Sequence, residues 1–468
     1  MMLPAAAEEH MSQDLLRNLP SVDKLLRLSE VEPLVAEHGH ELVVWRLRQC
    51  LDELRQDLLR GQQPENLTAR LLAQLERKLQ PSMRRAVNAA GVVLHTGLGR
   101  AMLAPKAVAA AKDAMDGYCT LATDPEQGKR MSRDVHLKDL VCELTGAESA
   151  TFANNNAAAT MLILNTLAQG KEVIVSRGQL VEIGGAFRMP DVMEMSGAVL
   201  REVGTTNKTH LRDYEKAIGE STGAILRVHQ SNYRIVGFTA EPGIAELAEL
   251  AHQHNLPVID DLGSGALVDL RQYGLEYEPL IRESIEAGAD VACFSGDKLI
   301  GGPQSGVMVG RSAIIEAIKK NPLARALRID KTTVAALEAT LKLFLNRAEL
   351  EQQHPTYRMF SLLPESLRQR AEALAALLQS LPAQVTVTAG QTEVGSGSVP
   401  TQTLPTWLIS LQPHSLPPEE LARRLRYSDP PIFARVHKDA VLFDLRTIQP
   451  EEEAWVVEAI KSGIEGPA

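Results

Sequence analysis

Asp290-Val291-Ala292-Cys293-Phe294-Ser295-Gly296-Asp297-Lys298-Leu299-Ile300-Gly301-Gly302-Pro303-Gln304-Ser305-Gly306 is a short apolar run that meets a lysine and then a glycine-rich turn. Apolar runs of this length bounded by turn residues read as buried strands. A lysine at the end of such a strand is placed to hold a carbonyl cofactor as a Schiff base, and Ser295, three residues earlier, to bind that cofactor's phosphate. A solvated strand-end lysine accounts for Lys298 alone. It needs neither the buried run before it nor the glycines after it.

Working outward, further short apolar runs occur at Glu172 to Ser176, Ala198 to Val203, Ala224 to Val228, Leu256 to Ile259 and Gly306 to Val309. Helical stretches lie between them, for instance Glu241 to His254, opened by Pro242. This alternation predicts an α/β fold over residues 82–345, a mostly parallel sheet flanked by helices. Ligands of such sheets sit at the carboxyl ends of the strands.

Two more candidate motifs fall at those ends. Asp260-Asp261-Leu262-Gly263-Ser264-Gly265 follows Pro257-Val258-Ile259. A carboxylate there can pair with a protonated pyridine nitrogen and keep the ring an electron sink. Asp261 is the first choice and Asp260 its rival, while a turn or N-cap aspartate explains either equally well. Asn154-Asn155-Asn156-Ala157-Ala158-Ala159 precedes a helical run from Thr160 to Leu167. Amides at a helix start bind phosphate, which nominates Asn155, Asn156 and Ala157; a simple Asn-capped helix has the same letters. The turn lies about 140 residues before Lys298 and the aspartate pair 37 before it. That order and spacing match pyridoxal-phosphate enzymes of the aspartate aminotransferase superfamily, and the match implies pyridoxal 5'-phosphate as cofactor.

The flanks read differently. Residues 1–81 read as a helical domain, from about residue 12 onward: Leu47, Leu51, Leu54 and Leu58 fall on one helix face, Gly61 suits a C-cap, and a second helix runs from Leu67-Thr68 to Leu79 before Pro81. Residues 346–468 read as a small α+β domain. It holds a helix from Ser366 to Leu381, a turn at Gly395-Ser396-Gly397-Ser398, and strands near Val385, at Thr406 to Leu411, Ile432 to His437 and Ala440 to Leu445.

The chain of 468 residues is 23% charged and 44% hydrophobic, with a formal net charge of -10. Such an acidic balance argues against broad nucleic-acid binding, though not against a local basic face. Residues 1–86 carry 12 Lys/Arg against 13 Asp/Glu, with the bases clustered, as a helix with one solvated charged face also would. Cysteines at 50, 119, 142 and 293 lack any metal-site spacing, which fits a reducing cytoplasm. No apolar run is long enough for a membrane span, and the amino terminus does not read as a signal peptide.

Asn88-Ala89-Ala90-Gly91-Val92-Val93-Leu94-His95-Thr96-Gly97-Leu98-Gly99-Arg100 resembles the opening of the catalytic domain in the bacterial selenocysteine synthase family. The resemblance continues through Gly128 to Arg133, Gly184 to Pro190, Asp261 to Gly265, Ser295 to Lys298, Arg325 to Lys331 and Asp444 to Thr447. It covers essentially the whole chain, with the amino-terminal helices matching in character more than in letters. It implies conversion of L-seryl-tRNA(Sec) to selenocysteinyl-tRNA(Sec) through an aminoacrylyl-tRNA intermediate, with selenophosphate as selenium donor. It assigns Arg100, Arg325 and Arg328 to that anion, with Arg133 lining the site; Arg325 and Arg328, three apart, would share a helix face. It further implies that the amino-terminal helices recognise tRNA and that the enzyme is a homodecamer, a pentamer of dimers. A relative acting on a free amino acid or amino-sugar acid would share Lys298, Asp261 and the phosphate turn.

Overall fold

The computed structural model describes residues 19–61, 66–184, 187–395, 397 and 399–466. Residues 12–18 of the expected helical domain, Gly185 and Ala186, and Ser396 and Ser398 lie outside them. The chain forms two compact units, Met1–Arg85 and Ala86–Ala468.

The first unit is helical in its described residues: α1 (Val22–Leu26), α2 (Glu32–His38), α3 (His40–Leu59) and α4 (Leu67–Leu79). The leucine stripe lies on α3, where Leu47, Leu51, Leu54 and Leu58 are all buried and pack with Leu71, Leu75 and Leu79 of α4. Gly61, at φ 79°, follows the C-cap of α3, and the Asn66 side chain caps α4 by accepting from the Ala69 amide at 3.0 Å. A left-handed glycine after one helix and an Asx cap before the next define the hairpin.

The second unit carries strands β1 (Val87–Ala89), β2 (Ser149–Ala153), β3 (Glu172–Ser176), β4 (Glu182–Ile183), β5 (Phe187–Arg188), β6 (Val199–Val203), β7 (Thr222–Val228), β8 (Val258–Gly263), β9 (Val291–Ser295), β10 (Gly306–Gly310), β11 (Ala383–Glu393), β12 (Thr403–Pro413), β13 (Ile432–His437) and β14 (Ala440–Asp444). Seven of them form one sheet in the order β2-β10-β9-β8-β7-β3-β6. Its core strands β8, β9 and β10 are buried along their whole length, as strands covered on both faces must be, with Asp260 and Asp261 the charged exceptions to their otherwise uncharged sequence.

Within that sheet β6, β3, β7, β8 and β9 are parallel, and β10 runs antiparallel to both β9 and β2. Only residues 296–305 connect β9 to β10. A parallel crossover needs about a dozen residues or more, so the chain reverses here instead. The glycines after Lys298 serve that reversal.

A second sheet of five strands has the order β1-β13-β14-β12-β11. β1 joins it in parallel with β13, Asn88 opposite Phe433, so residues 87–89 belong to the smaller sheet although they stand at the start of the expected large domain. The β11–β12 hairpin is much longer than the expected runs, at eleven residues per strand. Helix Pro364–Leu378 packs on this sheet through Leu367, Ala371, Leu374 and Leu378.

Candidate active site

The carboxyl ends of β7, β8 and β9 open into a cavity of about 310 Å³. Lys298, Asp261, Ser295, Asn155, Asn156, Ala157 and Arg100 all line it. Seven sequence candidates from four separated segments thus meet in one place.

Strand pleating decides between the adjacent aspartates. Side chains alternate between the faces of β8, so Asp260 and Asp261 point oppositely. Asp260 turns away from the cavity to Arg227, whose Nη1 lies 3.2 Å from its Oδ2, and accepts from Ser284 Oγ at 2.6 Å. Asp261 faces the cavity and accepts from Asn156 Nδ2 at 2.8 Å and Thr160 Oγ1 at 3.0 Å. Burial pushes its carboxyl above the usual carboxylate range, and those two donors oppose the shift.

Asn155 is the N-cap of α5 (Asn156–Ala168), its side chain accepting from the Ala158 amide at 2.9 Å. The first amides of α5 therefore open beside Ser295, where the helix end favours an anion.

Lys298 is 7% exposed. Burial, joined by the Arg100 charge, pulls its amine down to about 8, against the opposing carboxylates of Asp261, Asp297 and Glu278. Arg100 is held over this end of the cavity by Asp297, Nη1 to Oδ2 2.7 Å. Gly397, at φ 86°, closes on the lysine so tightly that a Cβ there would stand 3.1 Å from Nζ. A strand-end lysine with a depressed pKa opposite a buried carboxylate, beside a helix N-terminus, fits pyridoxal phosphate: a carbonyl partner, a ring-nitrogen partner and an anion cradle are all present.

The other arginines lie elsewhere in the chain. Arg133, Arg325 and Arg328 line a separate cavity of about 420 Å³ together with Arg130, Lys319 and Lys320. The Arg133 guanidinium donates to the Ile329 carbonyl, and burial and the Arg328 charge lower its pKa. Arg325 sits on helix α6 (Pro322–Ala326), but Arg328 lies beyond that helix's end at the Leu327 cap. The expected shared helix face is therefore absent; the two meet through the cavity wall instead. Within one chain the anion set is split, Arg100 with Lys298 and the rest apart.

Three cavity residues, Asp297, His229 and Ser231, and Thr160 behind the cavity wall have no counterpart among the sequence candidates. Asp297 holds Arg100, Thr160 holds Asp261, and His229 with Ser231 follows β7. The strand-end rule that singled out Lys298 applies equally to His229, directly after Val228. Nothing local marks Thr160, which sits one helical turn into α5.

The L-seryl-tRNA selenium transferase family pattern matches residues 86–449, and that of the selenocysteine synthase amino-terminal region matches residues 16–55. The chain belongs to the L-seryl-tRNA selenium transferase family. A family member from Carboxydothermus hydrogenoformans, named L-seryl-tRNA(Sec) selenium transferase, is 48% identical over 447 residues, covering 94% of this chain and 96% of the relative. One of the same name from Solidesulfovibrio magneticus is 49% identical over 452 residues, covering 94% and 96%. Among solved structures, a D-glucosaminate-6-phosphate ammonia-lyase superimposes with a TM-score of 0.56 at 21% identity, covering 82% of this chain and 96% of its own. At that identity the likeness establishes the fold that the selenium transferase family shares with it.

Proposed function

We propose that this chain converts L-seryl-tRNA(Sec) to L-selenocysteinyl-tRNA(Sec) with selenophosphate as donor. It uses pyridoxal 5'-phosphate held by Lys298, with Asp261 at the ring nitrogen and Ser295, Asn155, Asn156 and Ala157 around the phosphate. One observation carries the reading: in a chain of this family, a buried lysine with its amine near 8 shares a cavity with a buried, donor-held carboxylate. When bound, the cofactor supplies an electron sink for the α-carbon.

The chain's own groups do the rest. An amine lowered to about 8 is partly neutral near physiological pH, so Lys298 can take the α-proton of the seryl group and return it. Arg100 helps to keep that amine neutral. Loss of the β-hydroxyl leaves an unsaturated aminoacyl group on the tRNA, and selenium adds at its β-carbon. Planar guanidinium forks suit the oxygens of selenophosphate, and Arg325 and Arg328, with Arg133 beside them, are its binding groups.

Because Arg100 lines one cavity and those arginines another, we place the complete site between two copies of the chain, one presenting its arginine cavity to the other's Lys298 cavity, within a homodecamer of five dimers. The helical unit 1–81 is the tRNA-recognition module of this cytoplasmic enzyme, residues 82–345 the catalytic domain and 346–468 the small domain. In that helical unit Trp45 is half-exposed, with the Arg46 guanidinium 4.2 Å above its ring, the kind of flat cationic surface that meets RNA.

The test is selenium transfer. The purified protein loaded with pyridoxal phosphate is given selenophosphate with either seryl-tRNA(Sec) or free L-serine, and labelled selenium is followed into the amino acid. Incorporation with the charged tRNA alone is expected. Turnover of free serine would replace this reading with that of a lyase acting on a free amino acid.

A further inference from the structure

Resting on the reading just proposed, we propose that His229, backed by Glu278, is the general acid that protonates the departing β-hydroxyl. Hydroxide is a poor leaving group, so its loss needs a proton donor at the β-oxygen, distinct from the base that takes the α-proton.

The titratable groups of the Lys298 cavity are few, and most are occupied. Asp261 is held by Asn156 and Thr160 and faces the ring-nitrogen position. Asp297 is paired with Arg100, and an arginine does not give up its proton in proteins. Lys298 is the base. Among the lining groups this leaves His229 as the one whose chemistry suits proton donation near neutral pH.

Its placement supports the role. The His229 amide donates to the Asp261 carbonyl at 2.8 Å, extending the β7–β8 ladder by one step and fixing the imidazole's root beside the ring-nitrogen carboxylate. His229 Nε2 stands 3.0 Å from Glu278 Oε1, a carboxylate whose side chain is 4% exposed. Although that close, the two atoms are not aligned for a hydrogen bond, and each is buried without another hydrogen-bond partner among the described residues. With Nε2 buried against Glu278, the other ring nitrogen is the one that would carry a proton to the substrate. The other charged groups in and around this cavity are Glu278, Lys298, Arg100, Asp297 and Asp261.

The step balances. The neutral Lys298 amine removes the α-proton, and the electron pair left behind becomes the Cα–Cβ double bond as the Cβ–O bond breaks. The electrons of that bond leave with oxygen, which takes the imidazolium proton and departs as water. One proton has gone to Lys298 and one has come from His229, and no oxidant or reductant is involved.

Chloride needs no proton to leave, and this separates an acid from a structural histidine. The test compares seryl-tRNA(Sec) with β-chloroalanyl-tRNA(Sec) on the loaded enzyme and its His229→Gln variant. Elimination from the seryl substrate is expected to fall about 100-fold or more. Elimination from the chloro substrate should fall far less, and exchange of the seryl α-hydrogen with solvent, which reports Lys298 alone, should persist. The variant's affinity for pyridoxal phosphate, read from its visible band, should match that of the native chain. Glu278→Gln should show the same selectivity with a smaller loss. Equal loss on both substrates would make His229 structural, no loss on either would remove it from the step, and a lost visible band would make it a cofactor ligand; each overturns the proposal. Native enzyme that eliminates from neither charged tRNA yet acts on free serine would overturn the functional reading and this proposal with it.

Discussion

Two cavities of the second unit carry the candidate chemistry, and they are built on opposite principles. The Lys298 cavity sets cations against anions, Lys298 and Arg100 against Asp261, Asp297 and Glu278, and buries most of them. The Arg325 cavity is lined by six cations and the single carboxylate of Asp134, which is itself committed to Thr151 at 3.0 Å, while Lys319 pairs with Glu316 at 2.8 Å outside the lining. In the first, burial shifts pKa values and makes a reactive group. In the second, an excess of positive charge suits the multiply charged anion proposed for it. Catalysis needs low dielectric and balance, whereas anion capture needs excess charge and access.

The largest break in this comparison is Lys298→Ala. It removes the group to which the first cavity is devoted, and selenium transfer should fall by about 10⁴-fold or more, with the visible cofactor band lost. The same band on the native protein is the control, and a variant that kept both band and rate would remove Lys298 from the mechanism.

Next is stability, where the buried amine works against the fold. Lys298 titrates near 8 in the folded chain against an ordinary 10.5, so the unfolded chain binds its proton more tightly. Below about 8 both states are protonated and the folded state bears the full penalty, roughly 3 kcal/mol. Between about 8 and 10.5 the penalty fades, and above that it is gone. In cofactor-free protein, Lys298→Met should therefore stabilise by roughly 3 kcal/mol at pH 7 and by much less near pH 10. Urea unfolding at the two pH values checks it; a gain independent of pH would point to packing instead.

How far these cavities could be read in advance follows from what kind of signal each left. Strand ends leave local signals, so Lys298, Asp261 and the Asn155 turn were legible, and seven of the expected strands lie within two residues of their observed limits. β2 was missed because Ser149-Ala150-Thr151-Phe152-Ala153 is small and mixed, without the β-branched run of its neighbours. The antiparallel course of β10 was not legible either, since a strand buried on both faces looks alike in either direction. The choice between Asp260 and Asp261 was available in principle: carrying the strand's alternation on to Gly263 assigns them to opposite faces. The separation of Arg100 from Arg325 is set by tertiary placement across more than 200 residues, and no spacing rule encodes it. Glu278 is the same case, since only the folded chain brings it to His229.

The arginine cavity gives a smaller and differently shaped effect. Replacing Arg325 or Arg328 by Met removes one charge-assisted contact, worth about 1.5–3 kcal/mol, or roughly 10- to 100-fold in the KM for selenophosphate. Pyridoxal-phosphate affinity and the α-hydrogen exchange of seryl-tRNA should hardly change, because those belong to the other cavity. A variant that lost the cofactor band together with selenophosphate affinity would merge the two functions and undo the comparison.

Ionic strength should separate the cavities most gently of all. Charges open to solvent are screened once their separation exceeds the Debye length, about 8 Å near physiological salt and about 3 Å at 1 M. The six cations of the arginine cavity act jointly on an anion arriving from solution, so added salt should raise the KM for selenophosphate several-fold. Lys298 owes its lowered pKa first to burial, which salt does not alter, and only second to the nearby Arg100 charge. The pH dependence of α-hydrogen exchange should accordingly stay in place while the selenophosphate KM climbs. Were both to move together with salt, the amine would be governed by exposed charge rather than by its buried position, and the balanced cavity would be no different in kind from the cationic one.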